Sequence, residues 1–99
     1  MKIEAKEEGD VITITVLERI DIDTIWDFKE KLFEIGSTTD KDIDIDLSNI
    51  DYIDSSGIGV LITVMKLQKK KGKKLTMKKV SPEIHNILKL SSLSVTYGM

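Results

Sequence analysis

The sequence predicts a single α/β domain over residues 1–99, with a mostly parallel central sheet of about five strands after an opening hairpin, and three or four helices. Residues 11–17 and 42–47 alternate apolar with polar side chains, which is the period of a strand. Residues 24–35 instead follow the helical period. Strands that alternate with helices form right-handed β-α-β crossovers, so the helices are expected to cover a parallel sheet.

The opening hairpin is predicted from two short strands with turn residues between them. The first strand is placed near Lys2–Lys6, and Glu8-Gly9-Asp10 is expected to form the turn. The second strand is placed at Val11–Leu17, because apolar residues there alternate with threonines: Ile12, Thr13, Ile14, Thr15 and Val16.

The first helix is predicted from Thr24 to about Ile35. Its apolar residues fall on one face: Ile25, Phe28, Leu32 and Ile35. Thr24 and Asp27 have the spacing of a capping box, and Gly36 suits the C-terminal cap.

The second half of the chain continues the alternation. A strand is predicted at Asp42–Leu47, a helix with a lysine-rich end after the serine loop, and a strand at Leu75–Val80. Ser81-Pro82-Glu83 indicates a helix start, with a capping serine and proline at the first helical position. A last short strand is predicted around Val95 and Tyr97.

Composition excludes several classes of function. Fifteen basic and 17 acidic side chains give a net charge of −2, which argues against general binding to nucleic acid or to an anionic membrane. The chain has no cysteine, so disulfides and thiolate sites are impossible. The charged amino terminus does not resemble a secretory signal, and no segment reaches membrane-spanning length. We therefore expect a cytoplasmic protein that binds other proteins and needs no cofactor.

The run from Asp51 to Gly59 places Ser55 and Ser56 where a loop gives way to an amphipathic helix. The first turn of a helix offers free backbone N–H groups and the positive end of the macrodipole, so a phosphate on Ser55 would be held there. The alternative is that Ser55 is a plain N-cap, a common role for serine. The spacing alone leaves both interpretations open.

No catalytic or metal constellation is found in the sequence. The only histidine, His85, falls in the third predicted helix, and Gly-x-Ser-x-Gly is absent. Asp42, Asp44 and Asp46 resemble the start of a calcium loop but lack its glycine and its final glutamate. We interpret them as the acidic face of a strand that discourages edge-to-edge pairing. An enzyme or a small-ligand binder therefore has weak support, and no metal site is predicted.

Two loops are expected to form the functional end of the sheet, since sites in parallel sheets follow the carboxyl ends of strands. They are residues 19–23 and residues 48–55, and if their strands are neighbours Asp21 approaches Ser55. Trp26 lies off the main apolar stripe of the first helix. It is either a residue at the edge of the core or an exposed anchor for a partner.

The segment Asp46-Leu47-Ser48-Asn49-Ile50-Asp51-Tyr52-Ile53-Asp54-Ser55-Ser56-Gly57-Ile58-Gly59-Val60-Leu61 resembles the central signature of STAS domains, in particular bacterial anti-sigma factor antagonists. The likeness extends to Ile20–Thr24, Val80–Ile84 and Leu90–Leu93. It implies a STAS-like fold and a non-enzymatic protein. Such antagonists bind an anti-sigma factor that is also a GHKL-type serine kinase, and so free a sigma factor. A PP2C-like phosphatase reverses the phosphorylation.

By position, the resemblance implies that Ser55 is the phosphorylated residue and that Asp54 is the aspartate of the motif. It also implies a partner surface made of Asp21, Asp23, Thr24, Asp54, Ser55, Ser56 and Gly57. Glu18 and Arg19 stand where the family often has glycine and a small residue, so the resemblance does not define the partner specificity of this surface. A monomer or a weak homodimer is expected. The alternative function is a constitutive STAS scaffold, or an interaction subunit of a stress-signalling or transport complex, with Ser55 only a cap.

Overall fold

A computed structural model describes residues 3–89. In chain order, it contains β1 (Ile3–Glu8), β2 (Val11–Val16), α1 (Ile25–Thr38), β3 (Asp42–Leu47), α2 (Ser55–Lys70), β4 (Leu75–Val80) and α3 (Pro82–Lys89). The predicted α/β class and the order of elements are confirmed. The last strand predicted around Val95 and Tyr97 lies outside the described residues.

The sheet has the strand order β1-β2-β3-β4. β1 pairs with β2 in antiparallel fashion, and Gly9 has the positive φ of 60° that the tight turn between them requires. β2 pairs with β3 and β3 with β4 in parallel. Four strands thus form a mixed sheet in the described part of the chain, where about five were expected from the alternation.

One face of this sheet carries the core. β2 and β3 bury every second residue, which confirms the alternation read from the sequence. The inward side chains of these strands join buried residues of α1 and α2 in one cluster, which includes Phe28, Leu32, Leu61 and Val64. Helices cover that face because an amphipathic helix and a half-apolar sheet each bury their apolar side against the other.

The predicted start of α1 at Thr24 is confirmed, but the predicted capping box and the predicted end near Ile35 are wrong. Thr24 precedes the helix but makes no side-chain cap hydrogen bond, so the capping box is absent. Gly36 does not end the helix, which continues to Thr38. A Cβ on Gly36 would lie 3.1 Å from Cγ1 of Val64 in α2, so this glycine lets the two helices approach closely.

The interpretation that the aspartates of β3 discourage edge-to-edge pairing is wrong. β3 is an interior strand, so its aspartates do not guard an edge. The pairing of β3 with β4 shifts register between Asp44 and Asp46, and Asp44 Oδ1 accepts hydrogen bonds from the Lys78 N–H and the Thr76 hydroxyl, each at 3.3 Å. The carboxylate therefore compensates for a ladder hydrogen bond that the irregularity removes.

The predicted cap of α3 is confirmed. Ser81 Oγ accepts a hydrogen bond from the Ile84 N–H at 3.2 Å, as an N-cap serine does. The same hydroxyl donates to the Ile50 carbonyl at 2.6 Å. Ser81 therefore ties α3 to the loop that precedes α2 and leads to Ser55.

Candidate functional site at the start of helix α2

The two loops predicted to form the site lie side by side. Ile20 and Ile53 form an isolated parallel bridge beyond the ends of β2 and β3. The Ile20 N–H donates to the Tyr52 carbonyl, and the Asp54 N–H donates to the Ile20 carbonyl, both at 3.4 Å. Because both isoleucines are buried, this bridge holds the segment before α1 against the segment before α2. The expected proximity of these loops is confirmed.

The loop from Arg19 to Thr24 is held by its own polar side chains. The Thr24 hydroxyl donates to the Arg19 carbonyl at 2.8 Å and accepts from the Asp21 N–H at 3.0 Å. Asp21 Oδ1 accepts from the Asp23 N–H at 2.9 Å, an Asx-turn contact. Thr24 and Asp21 thus shape this loop, and Asp23 is exposed on it.

Arg19 links the two loops at the surface. Its guanidinium lies 3.7 Å from Asp51 Oδ1 and 5.0 Å from the centroid of the Tyr52 ring. Both partners belong to the loop before α2. Exposed ion pairs contribute little to stability, so the contact bears mainly on the shape and charge of this surface.

Asp54, and not Ser55, is the N-cap of α2. Its backbone is extended, and its Oδ1 accepts hydrogen bonds from the Gly57 N–H at 3.1 Å and from the Ser56 hydroxyl at 2.6 Å. The Ser56 hydroxyl, together with the backbone N–H groups of the first turn, lowers the pKa of the Asp54 carboxyl against the opposing effect of burial. Asp54 therefore carries a full negative charge at neutral pH.

Ser55 is the first residue of α2 and is exposed. Its hydroxyl makes no hydrogen bond within residues 3–89. The Ser56 hydroxyl, by comparison, is engaged by Asp54. Of the two serines of the motif, Ser55 is thus the one whose hydroxyl is free to react. The cap interpretation of Ser55 is wrong.

Replacing the two residues separately should give different stabilities. Asp54→Ala removes the cap and is expected to lower the free energy of unfolding by about 1 kcal/mol, whereas Ser55→Ala should change it by less than about 0.5 kcal/mol. Urea denaturation followed by circular dichroism measures both values. A loss of about 1 kcal/mol in Ser55→Ala would contradict the assignment of the cap to Asp54.

Gly57 is buried and lies against the bridge between the loops. A Cβ at this position would lie 2.6 Å from Cγ1 of Ile53 and 2.8 Å from Cγ2 of Ile20. Only a residue without a side chain allows the helix start to approach this closely. Gly57 therefore positions Ser55 and, being buried, offers little surface to a partner.

An open groove of about 440 Å³ lies beside the serines, between α1 and α2. Its lining includes Trp26, Lys29 and Phe33 from α1, and Ser56, Gly59 and Thr63 from α2. Trp26 is 72% exposed, so it does not lie at the edge of the core. Neither Gly59 nor Thr63 was expected at a site from the sequence, and the only sequence signal for this groove was a tryptophan off the apolar stripe.

Exposed large apolar side chains are concentrated at this end of the molecule. Within residues 3–89 they are Leu17 after β2, Ile22 and Tyr52 in the two loops, and Trp26 in the first turn of α1. Exposed apolar patches mark interaction sites, and these four side chains supply apolar surface at the end of the sheet where the two loops lie. The described residues contain no group of three or more metal-ligating side chains arranged to hold an ion. None of the described helices combines the length and apolar content needed to cross a bilayer.

Comparison with known proteins identifies the family. The STAS domain family matches residues 2–96. An anti-sigma-B factor antagonist from Staphylococcus epidermidis is 25% identical over 93 residues, which cover 94% of this chain and 86% of the relative.

Solved structures share the fold. The unphosphorylated form of the anti-sigma factor antagonist SpoIIAA has a TM-score of 0.84 at 14% identity and covers 98% of this chain, with 86% of that structure matched. An anti-sigma factor antagonist from Mycobacterium paratuberculosis also has a TM-score of 0.84, at 18% identity, with 97% of this chain and 81% of the other covered. The chain described here therefore belongs to the STAS domain family, and it is similar to anti-sigma factor antagonists.

Proposed function

We propose that this protein is an anti-sigma factor antagonist whose binding is controlled by phosphorylation of Ser55. The unphosphorylated chain binds an anti-sigma factor that is also a GHKL-type serine kinase, and this frees a sigma factor and so regulates transcription. The kinase phosphorylates Ser55, and a PP2C-like phosphatase removes the phosphate. The protein acts in the cytoplasm as a monomer or weak homodimer, through contacts with other proteins and without catalysis of its own.

The observation that carries this proposal is the division of roles between adjacent residues. Asp54 caps α2, so the neighbouring hydroxyl of Ser55 is exposed and without a hydrogen bond in the described part of the chain. A serine needed only as a cap would have its oxygen directed at the backbone N–H groups of the first turn. The alternative of a constitutive scaffold assumes that Ser55 is only a cap, and Asp54 holds the cap position instead.

The surroundings of Ser55 also support a partner site. Exposed apolar residues lie at the same end of the molecule, as in the core of a protein interface. Relatives named anti-sigma-B factor antagonists match nearly the whole chain, and a similar fold has been solved for SpoIIAA in a phosphorylated form. These likenesses support the proposed role and the use of phosphate as its control.

The test compares two serines that are adjacent in sequence. Tagged wild type, Ser55→Ala and Ser56→Ala are each produced in the cells from which the protein comes, and phosphorylation is followed by mobility shift and mass spectrometry. Wild type and Ser56→Ala should carry phosphate on Ser55, and Ser55→Ala should carry none. Phosphate on Ser56, or a wild type that stays unmodified in growing, starved and stressed cells, would contradict the proposal.

A further inference from the structure

The groove between α1 and α2 has a feature that the fold does not require. Gly59 lies inside α2, where glycine is among the least favourable helix residues. A Cβ at Gly59 would have no atom within 4 Å, so no neighbouring residue demands a glycine there. Its missing side chain leaves the floor of the groove open beside Trp26 and Phe33.

The chemistry of the groove defines what it would hold. Among its lining residues Lys29 is the only charged one. The nearest acid in sequence, Glu30, lines an adjoining depression with Lys29, Trp26 and Phe33 but not the groove itself. The Lys29 ammonium lies 5.3 Å from the centroid of Trp26 and 5.6 Å from that of Phe33, and it forms no salt bridge within residues 3–89. An apolar floor beside an unpaired cation is complementary to a bulky apolar side chain accompanied by a carboxylate.

We propose that this groove, which we call the α1–α2 groove, is the docking site for an apolar side chain of the anti-sigma partner, on a segment that also brings a carboxylate to Lys29. This inference rests on the proposed function. Ser56 lines the groove, and Ser55 precedes it in the first turn of α2, so the groove and the phosphorylation site belong to the same end of that helix. One partner would then contact both the groove and the phosphorylation site, and a phosphate on Ser55 would add negative charge to the surface that this partner covers.

The test uses the fact that the chain has a single tryptophan. The chain is labelled with 5-fluorotryptophan and titrated, without ATP, with the purified unlabelled anti-sigma factor kinase, and the fluorine resonance of Trp26 is followed by NMR. The resonance should shift on binding. Trp26→Ala and Gly59→Leu, measured by calorimetry, should each weaken binding roughly tenfold or more. Lys29→Gln should weaken it less and should also reduce its salt dependence.

Controls separate docking from folding. Lys31→Ala changes an exposed residue of α1 that does not line the groove, and it should bind like wild type. Gly59→Leu should unfold at a temperature at least as high as wild type, because leucine is a far better helix former than glycine. A loss of binding in this variant therefore reports on the groove.

The possible outcomes distinguish this inference from the function on which it rests. If the kinase binds unphosphorylated wild type, and the groove variants bind equally well without movement of the Trp26 resonance, the docking site is wrong and the switch stands. If the kinase does not bind unphosphorylated wild type, both fail. If the resonance moves when the chain alone is concentrated but not when the kinase is added, the groove holds a second copy and the inference is overturned.

Discussion

Phosphorylation of Ser55 is expected to lower the affinity of this protein for its anti-sigma partner by about 5- to 150-fold, the ordinary range of a coupling free energy of about 1–3 kcal/mol. The expected cause is electrostatic. A phosphoserine adds about −1.5 to −2 charges at neutral pH. It would do so next to the ionised Asp54 and beside a loop that carries Asp21 and Asp23. A partner surface that tolerates these carboxylates would meet a much stronger negative field.

The fold itself should hardly change on phosphorylation. Ser55 is exposed, and the first turn of a helix favours negative charge, so the phosphate has a compatible position without rearrangement. The free energies of unfolding of the two forms should agree within about 0.5 kcal/mol. The loss of affinity would then come from the altered surface and not from a loss of structure.

The measurement is calorimetric titration of the kinase with unphosphorylated and fully phosphorylated chain, at about 0.1 M and about 1 M salt. Because the Debye length falls from about 10 Å to about 3 Å over this range, the difference in affinity should shrink at high salt. Ser37→Asp, which places an added charge near the far end of α1, is the control for Ser55→Asp and should bind like wild type. Equal affinities of the two phosphorylation states would refute the switch, and a difference unaffected by salt would refute its electrostatic cause.

The same substitution at the two glycines of Gly57-Ile58-Gly59 is expected to have opposite effects on stability. Gly57→Ala should lower the free energy of unfolding by about 1–3 kcal/mol, because its Cβ would clash with Ile20 and Ile53, and protein interiors resist overpacking. Gly59→Ala should raise it by about 0.5–1 kcal/mol, because its Cβ meets nothing and alanine is the better helix former.

Any movement that relieves the clash at Gly57 would lower the stability of the fold or displace α2. Ile20 and Ile53 are 0% and 1% exposed, and their backbones form the bridge that joins the two loops. Moving either side chain disturbs the core, and moving α2 displaces Ser55 instead. Gly57→Ala is therefore expected to slow phosphorylation of Ser55 as well as to destabilise the fold.

Urea denaturation of wild type and both variants measures the stabilities, and equal slopes would show that the unfolding transition is unchanged. The rate of phosphorylation of Ser55, followed with the purified kinase and ATP, measures the position of the serine. A Gly57→Ala variant as stable as wild type would contradict the close packing described here. A destabilised Gly59→Ala would show that Gly59 is needed by the fold, and would remove the main support for an open groove.

Much of this protein follows from patterns within single elements. The alternation in β2 and β3, the Ser81-Pro82 start of α3 and the hairpin turn at Gly9 depend on residues next to one another in sequence, and the structure confirms them. The signature around Ser55 also identified the family from sequence, because its motif is local. The sequence could therefore predict the class of fold and the place of the candidate site.

The roles of single residues at the site depended on the path of the backbone, which residue types alone do not fix. Thr24 and Ser55 are suited to capping by type, yet the path of the chain directs Thr24 to the Arg19 carbonyl and gives the cap of α2 to Asp54. In the sequence Gly36 resembles a helix end, whereas in the structure it lies within α1 and packs against Val64 of α2. Gly57 and Gly59 are nearly equivalent in sequence, but Gly57 is packed against Ile20 and Ile53 while Gly59 faces open space.

The sequence by itself determined the elements, the family and the position of Ser55, because those signals are local. Only the tertiary structure decided which groups cap, pack or stay free, because capping depends on the path of the backbone and packing on which distant atoms the fold brings within a few ångströms.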